Sequence, residues 1–199
     1  FKLLASRINP HFFFNALETI RAKARTNQIS ELEEIVKSLG RIMRKSLENK
    51  KEEVSVQSEV EFTLHYLEIQ KYRFEEKLEY SITMNEIIKE MSIIPHLFQP
   101  IVENAIVHGI EQKIGGGTIL LSGSRVRDTL IFTIEDNGLG IRKDKLDLIK
   151  NALAASDGTW ERAERKSIYG KGPHGTGLLN VHHRILLYYE IHYTNHVTN

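Results

Sequence analysis

The sequence has no cysteine among its 199 residues, which excludes disulfides, thiol nucleophiles and cysteine-based zinc sites and is compatible with a reducing compartment. It also lacks an excess of either charge. Lys and Arg number 27 against 26 Asp and Glu, a formal net charge of +1, which argues against nucleic-acid binding by bulk electrostatics and against an acidic tail. No stretch approaches the ~18 apolar residues that a membrane-spanning helix needs. An initiating methionine is missing as well: the chain opens on Phe1, so it is expected to be part of something longer, with any targeting or membrane segment upstream. Glycine is scarce in the front half, where Gly40 alone precedes residue 109, whereas the other 12 of the 13 fall from Gly109 to Gly177. A helical front is therefore expected to give way to a loop-rich back, where the backbone bends sharply or approaches a ligand.

What is present fits that division. A hydrophobic share of 41% in a chain of this length fills one sizeable core or two small ones. Residues 1–27 carry Leu3, Leu4, Ile8, Phe12, Leu17 and Ile20 at helical spacing, interrupted at Asn9-Pro10. Either Asn9 caps a helix beginning at Pro10, or a longer helix bends there. Ser30 to Glu33 reads as a capping box opening a second helix, whose stripe is Leu32, Ile35, Val36, Leu39, Ile42, Met43 and Leu47. Such a hairpin buries too little by itself, and pairing with a second copy into four helices is the expected remedy.

Residues 49–53 form a charged linker, followed by a short Val54-Ser55-Val56 segment and a third helix over 58–74. Leu78–Met84 alternates as a half-buried strand. Pro95–Gly109 reads as an apolar helix stopped by glycine. Thr118–Ser124 and Thr129–Glu135 form a hairpin, and Leu178–Leu187 returns to helical spacing. The fold class expected is α+β: a helical hairpin, then a sheet covered by helices on one face.

Several groups carry chemistry. Asp136-Asn137-Gly138-Leu139-Gly140 follows a strand, so its carboxylate can accept from an exocyclic amine while its glycines turn against a flat ring; the bland alternative is an ordinary strand-exit turn. Gly175-Thr176-Gly177 precedes a helix and makes an anion cradle, or simply a glycine-rich connection. Gly170 to Gly175 formally fits G-x-G-x-x-G, but it follows the polar Glu161–Lys166 stretch and contains Pro173, so a dinucleotide fold is rejected. The pattern G-x-x-x-x-G-K-[ST] does not occur, which excludes a P-loop. Glu103 and Asn104, with His108 at i+4 from Asn104, sit in the apolar helix. They are either a satisfied polar pair, or Asn104 offers its carbonyl oxygen to Mg²⁺. His11 and Asn15 stack at i and i+4, and a neutral imidazole is a nucleophile near pH 7; beside Phe12, Phe13 and Phe14 a packing histidine is the alternative. The remaining seven histidines, among them His182, His183, His192 and His196, read as surface or packing residues.

Taken in order, these segments resemble the sensor histidine kinases of the LytS/YesM type. Ile8-Asn9-Pro10-His11-Phe12-Phe13-Phe14-Asn15-Ala16-Leu17 is similar to that family's phosphoacceptor box, and Tyr66–Phe74 to its next signature. Pro100–Gly109 resembles its N box, Asp136–Gly140 its G1 box and Gly175–Leu178 its G2 box, continued by Leu179, Asn180, Val181 and Arg184. The likeness runs from about Leu3 to Tyr189. It implies a dimerisation and phosphotransfer hairpin over 1–50 and a Bergerat-type (GHKL) ATP-binding sandwich over 51–199. It implies that His11 is the phosphorylated histidine and that Asn15 positions or polarises the phosphoryl group. By the same likeness Asn104 holds Mg²⁺ and, with His108, faces the nucleotide. Asp136 contacts the adenine amino group, and Gly138 and Gly140 shape its pocket. Gly175, Thr176, Gly177 and Leu178 flank the phosphates at the end of a lid running from Ser156 to His174. Implied too are ATP and Mg²⁺, a homodimer, a response-regulator receiver domain as partner, no nucleic acid, and a place in the cytoplasmic portion of a bacterial inner-membrane sensor, with membrane attachment only through an upstream segment.

The chain departs from the pattern in three places. Where many histidine kinases put an acid after the phosphoacceptor, Phe12 stands, so Glu103 becomes the acid–base candidate. The usual Lys before the N-box His is Val107, and Lys171 is the candidate substitute for the lost phosphate contact. A final strand is expected after the last helix, and Tyr189–Asn199 alternates weakly enough to supply only an edge strand. Two other readings compete with a kinase core: a nucleotide-binding dimerisation module without kinase activity, and an ATPase of the chaperone or mismatch-repair kind. The latter has no need of a His-x-x-x-Asn helix ahead of the nucleotide domain.

Overall fold

A computed structural model describes residues 10–48, 52–154 and 177–197. Helix α1 is described over Pro10–Arg25, so the choice between a helix opening at the proline and a longer one bent there lies outside the described residues. Asn9, the candidate cap, lies outside the described residues. The chain reverses through Thr26-Asn27-Gln28, with Asn27 left-handed (φ 55°) and Gln28 N–H donating to Lys23 O at 3.0 Å. Helix α2 (Ile29–Glu48) starts before the expected capping box, so Ser30 lies within its first turn and does not cap it. Gln28 stands immediately ahead of the helix instead, and its carbonyl accepts from Leu32 N–H at 3.1 Å. The reversal at Asn27, and not the Ser-x-x-Glu spacing, sets where the helix begins.

The stripe of α2 (Ile35, Ser38, Ile42) and that of α1 (Phe12, Ala16, Thr19, Lys23) are buried. Their cover comes partly from within the chain. Strand β1 (Val54–Ser55) leads into helix α3 (Val56–Phe74), which starts two residues before the expected 58 because Ser55 Oγ caps it by accepting from Ser58 N–H at 3.2 Å. Helix α3 meets the hairpin on one side and, on another, strand β2 (Leu78–Met84) and helix α4 (Gln99–Asn104). One core accordingly runs from Phe12, Ile35 and Ile42 through Tyr66 and Leu67 to Val102, Ala105 and Ile106.

The sheet has the order β2-β4-β5, with β4 (Gly117–Val126) parallel to β2 and antiparallel to β5 (Thr129–Asp136). Register pairs Ile82 with Leu121 and Leu121 with Ile134, so the alternating apolar residues of all three strands share one face. The β4–β5 hairpin closes through Arg127 (φ 55°) and Asp128, within the expected connection. Strand β3 (Ser92–Ile93) pairs with β1 antiparallel.

Helix α4 begins at Gln99 and not at Pro95. The reason is tertiary: the buried Glu59 carboxylate accepts N–H bonds from His96 (2.9 Å), Leu97 (2.7 Å) and Phe98 (3.3 Å), with His96 left-handed at φ 58°. These amides are aimed at α3 and the chain turns before coiling. Burial pushes the Glu59 carboxyl up, against the opposing pull of the three N–H groups. Past Asn104 the helix widens into a π turn (Ala105–Ile110), in which Glu111 N–H reaches Ile106 O at 2.9 Å. Helix α5 (Lys143–Ala154) occupies a stretch for which the sequence pattern gives no element. Helix α6 (Gly177–Val197) continues through the residues expected to form an edge strand, so Tyr189 to Val197 is helical. Its packed start, with Leu178 and Leu179 against Ile149 and with Val181 buried in the second core, nucleates a helix that weak alternation does not interrupt.

Candidate functional site

Strand β5 delivers Asp136 at its end, and Asn137 pins that end in place. Its side-chain Oδ1 accepts from Thr118 N–H at 2.8 Å, and its own N–H donates to Thr118 O at 3.3 Å. The chain then folds back, with Gly138 N–H donating to Asp136 Oδ1 at 2.9 Å. Leu139 N–H donates to Gly109 O at 3.1 Å, which ties the turn to the π turn of α4. Both glycines at this junction are needed for space. A β-carbon on Gly109 would lie 2.8 Å from Asp136 Oδ1, and one on Gly138 would lie 2.7 Å from the same atom. Gly140 has φ 73°, the left-handed region glycine favours.

The other end of the site is made by α4 and α6. A β-carbon on Gly177 would stand 3.0 Å from Asn104 Nδ2 and 3.1 Å from Pro100 O. Gly177 therefore brings the start of α6 directly onto Asn104. Asn104 and Gly109 are five residues apart, roughly 7 Å along the helix. The carboxylate of Asp136 and the amide of Asn104 are thereby spaced along one wall. Between them lies a cavity of about 190 Å³, lined by Ile101, Asn104, Ala105, His108 and Gly109 of α4, Ile134 and Asp136 of β5, Gly140 and Ile141, Lys145 and Ile149 of α5, and Leu178 of α6. Apolar walls with a few convergent polar groups suit a flat, amine-bearing ring attached to an anionic tail.

Of the residues expected from sequence, the structure brings together Asn104, His108, Asp136, Gly140 and Leu178 as cavity walls, and Gly138 and Gly177 as the close contacts that shape it. Lys171, Gly175, Thr176 and the 156–174 lid lie outside the described residues. Lys145 and Ile149 are wall residues that sequence reasoning misses; their i, i+4 spacing is the available signal in an unassigned stretch. Among the described residues, no group of three or more His, Cys, Asp or Glu could hold a metal ion.

His11 and Asn15 lie one turn apart on α1, and Asn15 is half-buried. Phe12, next to His11, is 3% exposed, and its ring centroid stands 4.9 Å from that of Tyr66, itself 1% exposed. Burial, with the Glu103 carboxylate adding to it, pushes the Tyr66 hydroxyl well above its usual range, so it stays protonated. Glu103 is half-buried on α4 beside Asn104. Ala105 belongs both to the core that holds Phe12 and to the cavity wall, so the hairpin's packing and the cavity share one layer of side chains.

Comparison with known proteins matches the chain to two family models, which meet between residues 78 and 89 and not at the expected 50/51 boundary. Residues 1–78 match the family model described as histidine kinase, and residues 89–198 match the one described as histidine kinase-, DNA gyrase B-, and HSP90-like ATPase. The chain is 32% identical over 183 residues to the sensor histidine kinase YesM of Bacillus subtilis, covering 92% of this chain and 31% of that protein. It is 38% identical over 136 residues to the sensor histidine kinase BtsS of Escherichia coli, covering 68% and 24% respectively. To the sensor histidine kinase/phosphatase LytS of Staphylococcus aureus it is 29% identical over 177 residues, covering 87% and 30%. It thus spans between about a quarter and a third of the length of these relatives.

Proposed function

Since the chain belongs to the histidine kinase-, DNA gyrase B- and HSP90-like ATPase family, with a front segment of the histidine kinase kind, we propose that it is the kinase core of a two-component sensor, phosphorylating itself on His11 from ATP and passing the group to a response-regulator aspartate. The observation that carries this reading is the joined wall of Asp136 and Asn104, closed by the Gly109–Gly138 contact, on the same chain as a helix bearing His-x-x-x-Asn. Family membership implies ATP binding; the finer assignments follow. Asp136 accepts from the adenine amine while Gly138 and Gly140 let the backbone lie against the ring. Asn104 offers its amide oxygen to Mg²⁺, which neutralises phosphate charge when bound. His108, Gly175, Thr176, Gly177 and Leu178 border the phosphates, and Lys171 supplies the cation that Val107 does not.

One ring nitrogen of His11, unprotonated, attacks the γ-phosphorus. The N–P bond forms as the bond to the bridging oxygen breaks and ADP leaves, while the other nitrogen keeps its proton. Asn15 steadies the incoming group, and Glu103 is the acid–base candidate of the assembled site. Residues 1–50 act as the dimerising phosphotransfer unit and 51–199 as the ATP-binding unit. The receiver domain is the protein partner. No helix among the described residues is long and apolar enough to cross a membrane. Inner-membrane attachment, with this part on the cytoplasmic side, belongs to the same reading.

The test is incubation with γ-labelled ATP. Acid-labile, base-stable label on the unaltered chain, absent in His11→Gln and in Asp136→Asn, is expected. Label that persists in His11→Gln overturns the phosphoacceptor; nucleotide binding without any label favours the module that binds nucleotide and lacks kinase activity.

A further inference from the structure

Transfer between a nucleotide in the cavity and His11 on another helix requires the turn of α1 that carries His11 to hold a fixed position. That turn is held by aromatic packing. Phe12 faces the core, braced edge-on by Phe13 at 5.6 Å and 71° and met by the Tyr66 ring at 4.9 Å and 36°. Tyr66 is on α3, and its polar end has Gln70 as its side-chain partner and the Glu103 charge nearby. Glu103 is covalently next to Asn104 of the cavity wall. Tyr66 also shares one buried core with Phe12, Val102 and Ala105, and Ala105 lines the cavity, so a continuous layer of side chains joins the Phe12 turn to the nucleotide wall.

We propose that Tyr66 is a positioning residue for phosphoryl transfer: by clasping the Phe12 ring it keeps the His11 turn in register with the Asn104 helix. The inference rests on the kinase reading above and deepens it, because it supplies the orienting contact that an acidic neighbour would otherwise provide at position 12. Attack on phosphorus depends on alignment, and a displacement of about 1 Å can cost on the order of 100-fold in rate. The ring carries the contact and the hydroxyl does not, so the conservative change should preserve function.

The experiment compares the unaltered chain with Tyr66→Leu, Phe12→Leu, Phe12→Met and Tyr66→Phe. The readouts are the first-order rate of His11 labelling at saturating ATP, the equilibrium affinity for ATP, and the thermal melt. Tyr66→Leu and Phe12→Leu are expected to label about 10- to 100-fold more slowly with ATP affinity unchanged. Tyr66→Phe is expected to label at close to the original rate. Unchanged rates in the leucine variants overturn the inference, as do rate and affinity falling together, or a Tyr66→Phe variant as slow as Tyr66→Leu. Faster labelling also overturns it, making the contact a brake. If the leucine variants lose their cooperative melt, Phe12→Met with Tyr66→Phe decides: slow and normal respectively support the clasp, and both normal overturn it. No label on the unaltered chain defeats the kinase reading and the inference together, whereas a labelled chain with indifferent variants defeats the inference alone.

Discussion

Gly109 and Gly138 are in backbone contact across the site: a β-carbon on Gly138 would lie 2.4 Å from Gly109 Cα and 2.6 Å from its carbonyl carbon. Neither neighbour is the movable end of a side chain, so Gly138→Ala must part the Asp136 turn from α4. Overpacking of this kind costs about 1–3 kcal/mol, and here the strain falls on the cavity itself. Gly138→Ala is expected to weaken ATP binding by about tenfold or more, as read by calorimetry, and to lower the melting temperature. Unaltered affinity would show that the turn gives way elsewhere.

Gly40 is the counter-case. It lies mid-way along α2, exposed, with nothing within 4 Å of where a β-carbon would stand and no left-handed φ to satisfy. Gly40→Ala removes backbone entropy from the unfolded chain at no steric cost, and is expected to raise stability by roughly 0.5–1 kcal/mol in urea unfolding. A loss of stability would mean that something outside this chain's own contacts needs the missing side chain.

The contrast between these two glycines bears on how much the sequence could say. Leu78–Met84 and the 118–135 hairpin are legible because a sheet with one buried face must alternate, and the alternation is local. The Asp136 turn is legible because its chemistry is contained in five consecutive residues. The start of α4 is not, since it is decided by Glu59, nearly 40 positions away, through three N–H bonds. The start of α2 is hidden by the left-handed Asn27, which no apolar spacing reports. Lys145 enters the cavity wall through the packing of α5, and the Phe12–Tyr66 contact is an encounter between residues 54 positions apart on different helices. Chemistry carried by contiguous boxes is readable, and contacts that set one box against another are not.

Lys23 gives a pH-dependent test of how the hairpin is fastened. Its ammonium lies 2.7 Å from Glu75 Oε1 and 2.9 Å from Glu31 Oε2, joining α1 to the start of α2 and the end of α3. Hydrogen bonding to Glu75 and then Glu31 raises the Lys23 pKa above 10.5, and the Lys23 hydrogen bond lowers Glu75 below 4.5. A raised basic pKa contributes stability that is whole below 10.5 and lost as pH rises through the folded value. A lowered acidic pKa contributes stability present above 4.5 and lost as pH falls through its folded value. Lys23→Met should therefore lower the melting temperature at pH 7 by roughly 2–4 °C, since Glu75 is largely solvent-exposed and screened. The deficit should shrink below pH 4.5 and above pH 10.5. A deficit constant across the whole range would assign the loss to the packing of the lysine stem.

The outward side of the hairpin makes the last prediction. Ile29, Val36 and Met43 recur every seven residues along α2 and are exposed, Val36 at 52% and Met43 at 45%; Phe14 and Leu17 of α1 are exposed as well. The inward stripe is already covered by α3, so this second stripe is apolar surface with no cover among the described residues. A seven-residue repeat is the spacing at which two helices keep one seam in contact, and a second copy of the hairpin would present the same repeat and complete four helices. Val36→Glu places a charge at the centre of that seam without touching the buried Ile35, Ser38 or Ile42. Sedimentation equilibrium is expected to show a dimer for the unaltered chain and mainly monomer for Val36→Glu, with the monomer's ATP affinity preserved because the cavity walls come from α4, β5, α5 and α6 and none from the hairpin. A Val36→Glu chain that stays fully dimeric would move the interface to another face, and one that loses ATP binding along with dimerisation would show that the cavity depends on the partner copy.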